Sequence, residues 1–557
     1  MRVLIFHGYL LSGTGSNVYN ARLVEALTRM GHEVHILAQE RHPDEHAFLT
    51  AAGDWEQGTL RVRTLREAAP GSAGATLYRP DIGGLLPVYV ADRYEGIEAR
   101  TFAECSDEEV ERYIAANVVA VREVTALARP EIALANHLVM GPVILSRALG
   151  AELRYAVKVH GSALEYTVKP QPQRFLAPAR EGALGAAGIL VGSLHTASSL
   201  WEALQEPQVR ERTRLGPPGV DVQRFVPRER SEAIAQMRAL AERLQADRGK
   251  GAGVPGGAGV ASPPAAAEPV SAFQRDAAAA GRALARIDPE RDRLVAFVGK
   301  LIVSKGIDLL IASWPLVLEQ VPQARLVVVG FGAYREGAER LIALLGAGDL
   351  AGVEALARAG RDLEREHMGA EGGDGGEDGR ADGGGAAAQP LRHLLAFVAA
   401  LSGDQRERYL REAQRLPERI VLTGRLEHEE LAELLPACEA LVAPSTFPEA
   451  FGMVAAEAAA CGALPVVAAH SGLAEVSAAL ARSIPPQAAE CLSFPVDDHA
   501  VQALAERLVG WLTIDQELRE RTRSGLVAEV RRSWSWQGVA RGVIAAAQGE
   551  LDELSVP

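Results

Sequence analysis

Short apolar runs alternate with stretches of helical spacing along most of the chain, and that alternation predicts an α/β protein. Arg2–Phe6 reads as a strand. Gly13 to Gly15 follow as a loop, and residues 18–30 repeat apolar positions at helical spacing. The turn Gly31-His32-Glu33 leads into a second apolar run at 34–37. Further strands are predicted at 132–135, 156–159 and 189–191. The rhythm then restarts at 294–298 and continues at 326–329, 420–422, 440–442 and 464–467. Two successive units result, each expected to hold a parallel sheet flanked by helices.

The rhythm lapses twice. Residues 229–292 have a different composition, and their middle, 249–268, is Gly, Ala and Pro with few large apolar groups. Such a stretch cannot bury enough surface to fold alone. A second excursion covers about 346–417, with a Gly- and acid-rich centre at 369–389 and helical spacing at 391–401. The expected partition is therefore 1–227, an insertion at 228–292, a second unit at 293–533, and a closing segment at 534–557. A chain of 557 residues exceeds one comfortable core, which agrees with two units.

Composition narrows the partners. The formal net charge of −14 argues against nucleic acid as a bulk partner, since phosphate backbones need positive surface. The four cysteines, Cys105, Cys438, Cys461 and Cys491, show no paired spacing, so neither a disulfide framework nor a zinc site is expected. Residues 1–7 are too short an apolar run for a secretory signal, and no run approaches a membrane span. A cytoplasmic location is expected, with contact at a membrane surface left open.

Candidate chemistry concentrates at predicted strand ends. Pro444-Ser445-Thr446-Phe447-Pro448-Glu449-Ala450-Phe451-Gly452 follows the run at 440–442 and precedes an Ala-rich helix predicted over Met453–Ala460. Such a loop offers backbone N–H groups at a helix N-terminus beside a parallel sheet, where anions and nucleotides bind. Glu449 and Glu457, eight positions apart, suit a ligand with two sugar rings, because a carboxylate accepts from both hydroxyls of a diol. They read equally as a helix-start acid and a solvated helix residue. Gly299-Lys300-Leu301 and Lys305-Gly306 follow the run at 294–298, and two ammonium groups there suit a diphosphate. They also read as ordinary surface lysines. Gly330-Phe331-Gly332 permits close backbone approach to a ligand or forms a tight turn; Arg335 stands where a third glycine of a dinucleotide fingerprint would be. In the first unit, the Gly13–Gly15 loop can cradle phosphate, and His160-Gly161 ends a strand where a ligand or a structural partner would meet it. His137 follows another strand.

Taken in order, these pieces resemble the retaining glycosyltransferases of the GT-B fold, in the large family 4 group. The resemblance rests on Glu449 and Glu457 inside Pro-Glu-Ala-Phe-Gly, on Cys461-Gly462 with Ser471-Gly472 and Glu475, on Gly299-Lys300-Leu301 with Lys305-Gly306, and on Pro218-Gly219-Val220-Asp221. Lys300 stands where the family usually has arginine, exchanging a fork for a point charge. Pro218 replaces the usual asparagine of the interdomain turn. The resemblance implies two Rossmann-like domains facing a central cleft, the first binding an unidentified sugar, lipid or small-molecule acceptor and the second a nucleoside diphosphate sugar. It implies that Glu457 binds the ribose. Glu449 and the amides of Phe451, Gly452 and Met453 would hold the transferred sugar and diphosphate. Lys300 and Lys305 would neutralise the leaving group, with Gly299 and Gly332 in the donor-binding set. Gly15 would approach the diphosphate from the opposing domain, and His160 would lie near the donor sugar. The final segment would cross back to brace the first domain. No metal and no cofactor are expected beyond the donor itself. Two other classes stay open: a sugar-nucleotide-binding protein without catalysis, and a nicotinamide-dependent oxidoreductase, which the incomplete glycine fingerprints disfavour.

Overall fold

The computed structural model describes residues 1–13, 15–89, 97–246, 276–364 and 389–557. Thr14 of the glycine loop, the Gly/Ala/Pro stretch at 249–268 and nearly all of the acidic centre at 369–389 lie outside the described residues. The chain forms two compact units, Met1–Gly219 with Trp534–Pro557, and Val220–Ser533.

The first unit contains β1 (Arg2–Phe6), β2 (Glu33–Leu37), β3 (Leu49–Glu56), β4 (Thr59–Thr64), β5 (Ala75–Arg79), β6 (Leu85–Val88), β7 (Glu98–Thr101), β8 (Ile132–Asn136), β9 (Tyr155–Val159), β10 (Gly188–Val191) and β11 (Thr213–Leu215). Nine of them form one sheet in the order β11-β10-β9-β8-β1-β2-β5-β3-β4, and β6 pairs with β7. Alternation along β1 explains the layers. Val3 and Ile5 join a core beneath the helix Gly15–Arg29, with Tyr19, Leu23 and Leu27. Leu4 and Phe6 join the core on the other face, with Val110, Ile114 and Val121 of the helix Asp107–Ala128. The helix Trp536–Gln548 adds Trp536, Ala540, Val543 and Ala547 to the first of these cores. Gly219 lies flat on that tryptophan: a Cβ there would come within 2.6 Å of the indole.

The sheet departs from the all-parallel expectation at one edge. β4 runs antiparallel to β3, joined by Gln57 and Gly58 at φ 50° and 76°. Two successive positive φ values make the tight hairpin whose twist matches paired strands. β4 is exposed along nearly its whole length, so it carries no apolar run for a sequence reading to find. The same holds for the short, partly exposed β7.

The second unit contains β12 (Arg293–Val298), β13 (Ala324–Val329), β14 (Ile420–Gly424), β15 (Ala440–Ala443), β16 (Leu464–Ala468) and β17 (Ser493–Phe494), all parallel, in the order β14-β13-β12-β15-β16-β17. Strand order reverses between β12 and β15. Loops leaving such a pair diverge and open a crevice at the strand C-termini. The flanks of the second excursion are well packed: Val353, Leu356, Leu394, Phe397 and Tyr409 are buried, and the Tyr409 hydroxyl donates to the Ala312 carbonyl at 3.0 Å. Residues before β12 form two helices, Arg230–Ala246 and Ala277–Leu284, that pack closely through Gly281, where a Cβ would meet the Gln245 nitrogen at 2.6 Å.

Candidate functional site

The two strands flanking the reversal in the second unit carry the candidate loops. After β12 comes Gly299-Lys300, then a single 3₁₀ turn at Val303–Lys305. After β15 comes the 444–452 loop, then the helix Met453–Ala460. Backbone contact locks the two loops together. The Thr446 N–H donates to the Ser304 carbonyl at 2.9 Å. Gly306, at φ 69°, passes so near Pro444 that a Cβ would lie 2.0 Å from its carbonyl oxygen. Only glycine satisfies both the left-handed backbone and the approach. The Val303 N–H is held by the Glu364 carboxylate at 2.5 Å, so the described start of the second excursion supports this loop.

That junction brings Lys305 to Glu449. Their ammonium and carboxylate form an ion pair, and the Ser445 hydroxyl donates to the same oxygen, Oε1, at 2.6 Å. Oε2 has no partner among the described residues. The backbone of Glu449 is pinned on both sides: its N–H donates to Ser471 Oγ at 2.9 Å, and its carbonyl accepts from the Gly472 N–H at 2.9 Å. His470 completes the support. Its Nε2 faces the Ser445 carbonyl at 2.8 Å and must donate, so Nδ1 accepts from the Ser471 hydroxyl at 3.0 Å. Glu449 is therefore a held side chain in a loop rather than a helix cap. The N-cap of Met453–Ala460 is Gly452, at φ 128°, with no side-chain cap bond. A glycine cap offers the first N–H groups of that helix no side-chain acceptor of its own, an arrangement that suits an anion.

Glu457 is 3% exposed, which rules out a solvated helix position. Its Oε1 meets His428 Nε2 at 2.8 Å, and the imidazole packs edge-on against Phe225 with centroids 4.8 Å apart. Five alanines, Ala455, Ala456, Ala458, Ala459 and Ala460, surround it on the helix and are buried. Lys300 stands exposed. Phe451 is buried, with Gly452 and Met453 half-buried at the helix start.

The space at Gly330 and Gly332 is filled by the chain itself: a Cβ would meet the Gly299 carbonyl at 2.1 Å and the Leu301 carbonyl at 2.5 Å. The close approach at Gly330 and Gly332 is to the loop bearing Lys300, which these glycines shape. Gly299 has only ordinary contacts, the nearest at 3.6 Å.

In the first unit, Gly15 begins the helix Gly15–Arg29 with open space beside it. His160 follows β9, and its Nε2 meets Asn136 Oδ1 at 2.9 Å. Burial, then the neighbouring His137, Lys158 and His7, hold its pKa well below the ordinary imidazole value. It is uncharged at neutral pH. His137, at φ 66° and 2% exposed, packs among Tyr89, His160 and Tyr9, and neither ring nitrogen has a hydrogen-bond partner among the described residues.

The sequence pattern assigns no role to Ser445, His470 or His428. Ser445 lies inside the 444–452 loop, four positions from Glu449, and His470 directly precedes Ser471, so their place in the chain is an available signal. His428 lies 29 residues from Glu457 and carries no local signal.

Solved structures share this architecture over nearly the whole chain. Sucrose-phosphate synthase from Thermosynechococcus elongatus matches with a TM-score of 0.54 at 16% identity, covering 99% of each chain. HepE of Anabaena, in complex with UDP and glucose, matches at 0.52 and 14% identity, covering 98% of this chain and 99% of its own. The catalytic domain of starch synthase IV from Arabidopsis thaliana, bound to ADP and acarbose, matches at 0.54 and 13% identity over 99% of each.

The fold is GT-B.

Within this GT-B chain, residues 285–351 and 393–524 match the model of the family described as Glycosyl transferases group 1. Both segments belong to the second unit and include Lys300, Lys305, Glu449 and Glu457. The gap between them contains the undescribed part of the second excursion. No curated protein matches by sequence. The matched segments are similar to that family, and the solved structures share the fold. Among the described residues, no helix is long and apolar enough to cross a membrane, and all four cysteines are buried and free.

Proposed function

We propose that the protein is a retaining, metal-independent glycosyltransferase of the family 4 type, moving a hexosyl group from a nucleoside diphosphate sugar to an acceptor in the cytoplasm. The observation that carries this reading is the Lys305–Glu449–Ser445 group at the strand reversal of the second unit, beside an uncapped helix N-terminus. It offers positive charge for a diphosphate and a pinned carboxylate for a sugar in one place. HepE and starch synthase IV, which share the fold, are complexes with UDP and ADP, in keeping with a nucleotide at this site.

In the proposed reaction, Lys305, Lys300 and the amides of Phe451, Gly452 and Met453 stabilise the charge that develops on the leaving diphosphate. Glu449 spends Oε1 on Lys305 and Ser445, so Oε2 is the oxygen for a hydroxyl of the transferred sugar. It positions the sugar and forms no bond to it. Glu457, held by His428, accepts from the ribose hydroxyls. Attack from the face the diphosphate leaves lets a phosphate oxygen take the acceptor proton, and configuration is retained.

The test is donor hydrolysis or transfer, assayed with Glu449→Ala and Lys305→Ala across UDP-, GDP- and ADP-sugars. Loss of turnover in both is expected; full activity in both would remove the assigned site. A thermal-shift screen separates the oxidoreductase reading, which requires stabilisation by NAD and none by UDP, GDP or ADP.

A further inference from the structure

Among the described residues of the second unit, Ser471 is the one non-glycine whose backbone is left-handed, at φ 52°. A side chain in that region crowds its own backbone, so the conformation persists only where something nearby holds it. Ser471 opens the helix Ser471–Ala481, and the cap residue before it, His470, makes no side-chain cap bond. The serine hydroxyl is spent on a different loop. Its oxygen accepts from the Glu449 N–H at 2.9 Å, and the next amide, the Gly472 N–H, donates to the Glu449 carbonyl at 2.9 Å. One strained turn thus presents an acceptor and then a donor to both main-chain groups of Glu449. We propose that Ser471 is a positioning residue of the donor site: its hydroxyl, held in the left-handed turn, fixes Glu449 so that Oε2 faces the transferred sugar. The proposal rests on the glycosyltransferase reading for the sugar and on hydrogen-bond geometry alone for the grip on Glu449.

The hydroxyl can hold Glu449 because its own proton is committed elsewhere. His470 Nε2 donates to the Ser445 carbonyl at 2.8 Å, so Nδ1 is the acceptor for the Ser471 hydroxyl at 3.0 Å. A serine oxygen that donates there keeps its lone pairs for the Glu449 N–H. The Ser445 hydroxyl in turn donates to Glu449 Oε1 at 2.6 Å. Ser471 therefore grips the main chain of Glu449, Ser445 grips its carboxylate, and His470 ties the two serines together.

The residues after Ser471 extend the same template. A Cβ at Gly472 would lie 2.6 Å from the Phe451 nitrogen and 2.7 Å from the Ala450 carbonyl carbon. A Cβ at Gly452, itself at φ 128°, would lie 2.7 Å from Leu473 Cδ2. Ser471, Gly472 and Leu473 thus back, in order, onto Glu449, Phe451 and Gly452. A carboxylate for the sugar and amides for the diphosphate are set by one helix start. The division of labour is separable: the Ser471 hydroxyl serves Glu449, whereas Gly472 and Leu473 carry the two amides. All of these contacts lie inside the second unit.

Ser471→Ala and Ser471→Gly test it in the full-length chain. Both remove the hydroxyl, but only glycine also relieves the left-handed backbone. Melting temperature should therefore be higher in the glycine variant than in the alanine variant, by about 2–4 °C. Turnover of UDP-glucose, ADP-glucose or GDP-mannose, whichever the wild type uses, should fall about tenfold in both, the weight of one hydrogen bond. Affinity for the matching bare nucleotide, by isothermal titration, should stay at the wild-type value. Hydrogen exchange in the 444–452 peptide, measured without ligand, should be faster than wild type in both. Glycine-variant turnover at the wild-type level, or recovering in step with melting temperature, overturns the role of the hydroxyl. An equal loss of bare-nucleotide affinity overturns its assignment to the sugar. Unchanged exchange at 444–452 in both variants overturns the grip on Glu449. If the wild type binds and consumes no nucleotide sugar, the glycosyltransferase reading falls and takes the sugar role with it, while exchange still decides whether Ser471 holds the loop.

Discussion

Lys158 sits inside β9 with its ammonium buried, and among the described residues its one side-chain hydrogen bond runs to the Gly216 carbonyl at 2.5 Å. The ring of Tyr19 lies 5.5 Å from Nζ, too far to replace a shell of water. Burial alone pushes its pKa from 10.5 to about 7. Between those pH values the unfolded chain binds a proton that the folded chain does not, so this residue makes stability rise with pH. At about pH 7 and below, the penalty is fully present, about 5 kcal/mol by linkage. Lys158→Met keeps the length and removes the charge, leaving the Gly216 carbonyl unpaired at a cost of about 1–2 kcal/mol. The variant should therefore be more stable than wild type by about 3 kcal/mol near pH 7. The advantage should shrink to nothing near pH 10, where the unfolded lysine is also losing its proton. Urea unfolding of the full chain across that range measures it, following the transition of the first unit. A variant less stable near pH 7, or a difference that does not change with pH, would refute the argument.

Gly306→Ala should cost about 2 kcal/mol or more and abolish turnover, because the new methyl would meet the Pro444 carbonyl in a left-handed backbone. Gly299→Ala, with its nearest contact at 3.6 Å, should leave melting temperature within a few degrees of wild type, a contrast that calorimetry resolves. Lys305→Ala should weaken nucleoside diphosphate binding by about tenfold or more, the worth of a charged contact, whereas Glu449→Ala should spare it and lower turnover. Isothermal titration beside a transfer assay separates the two. His428→Ala strands the buried Glu457 carboxylate and should lower the melting temperature while weakening nucleotide binding; His428→Gln, which keeps a donor, should recover most of both.

Strands with two buried faces were legible from the chain alone. Arg2–Phe6, 294–298 and 440–442 are apolar because helices cover them on both sides, and their apolar runs announce it. The loops at their ends were legible for the same reason, since the residues that follow such a run must leave the sheet at the strand's C-terminal end. Lys305 and Glu449 were candidates on that ground. β4 and β7 were not, because an exposed edge strand needs no apolar pattern and its turn residues are its only mark. Pairings were beyond the linear reading altogether. Glu457 finds His428, and His160 finds His7 through two asparagines, because the order of strands places their ends together, and that order is settled by how crossovers pack rather than by any one segment. Burial decided the charge states in the same way. Lys158 is an ordinary lysine by composition, and only the tertiary core that removes its water makes it titrate near neutrality.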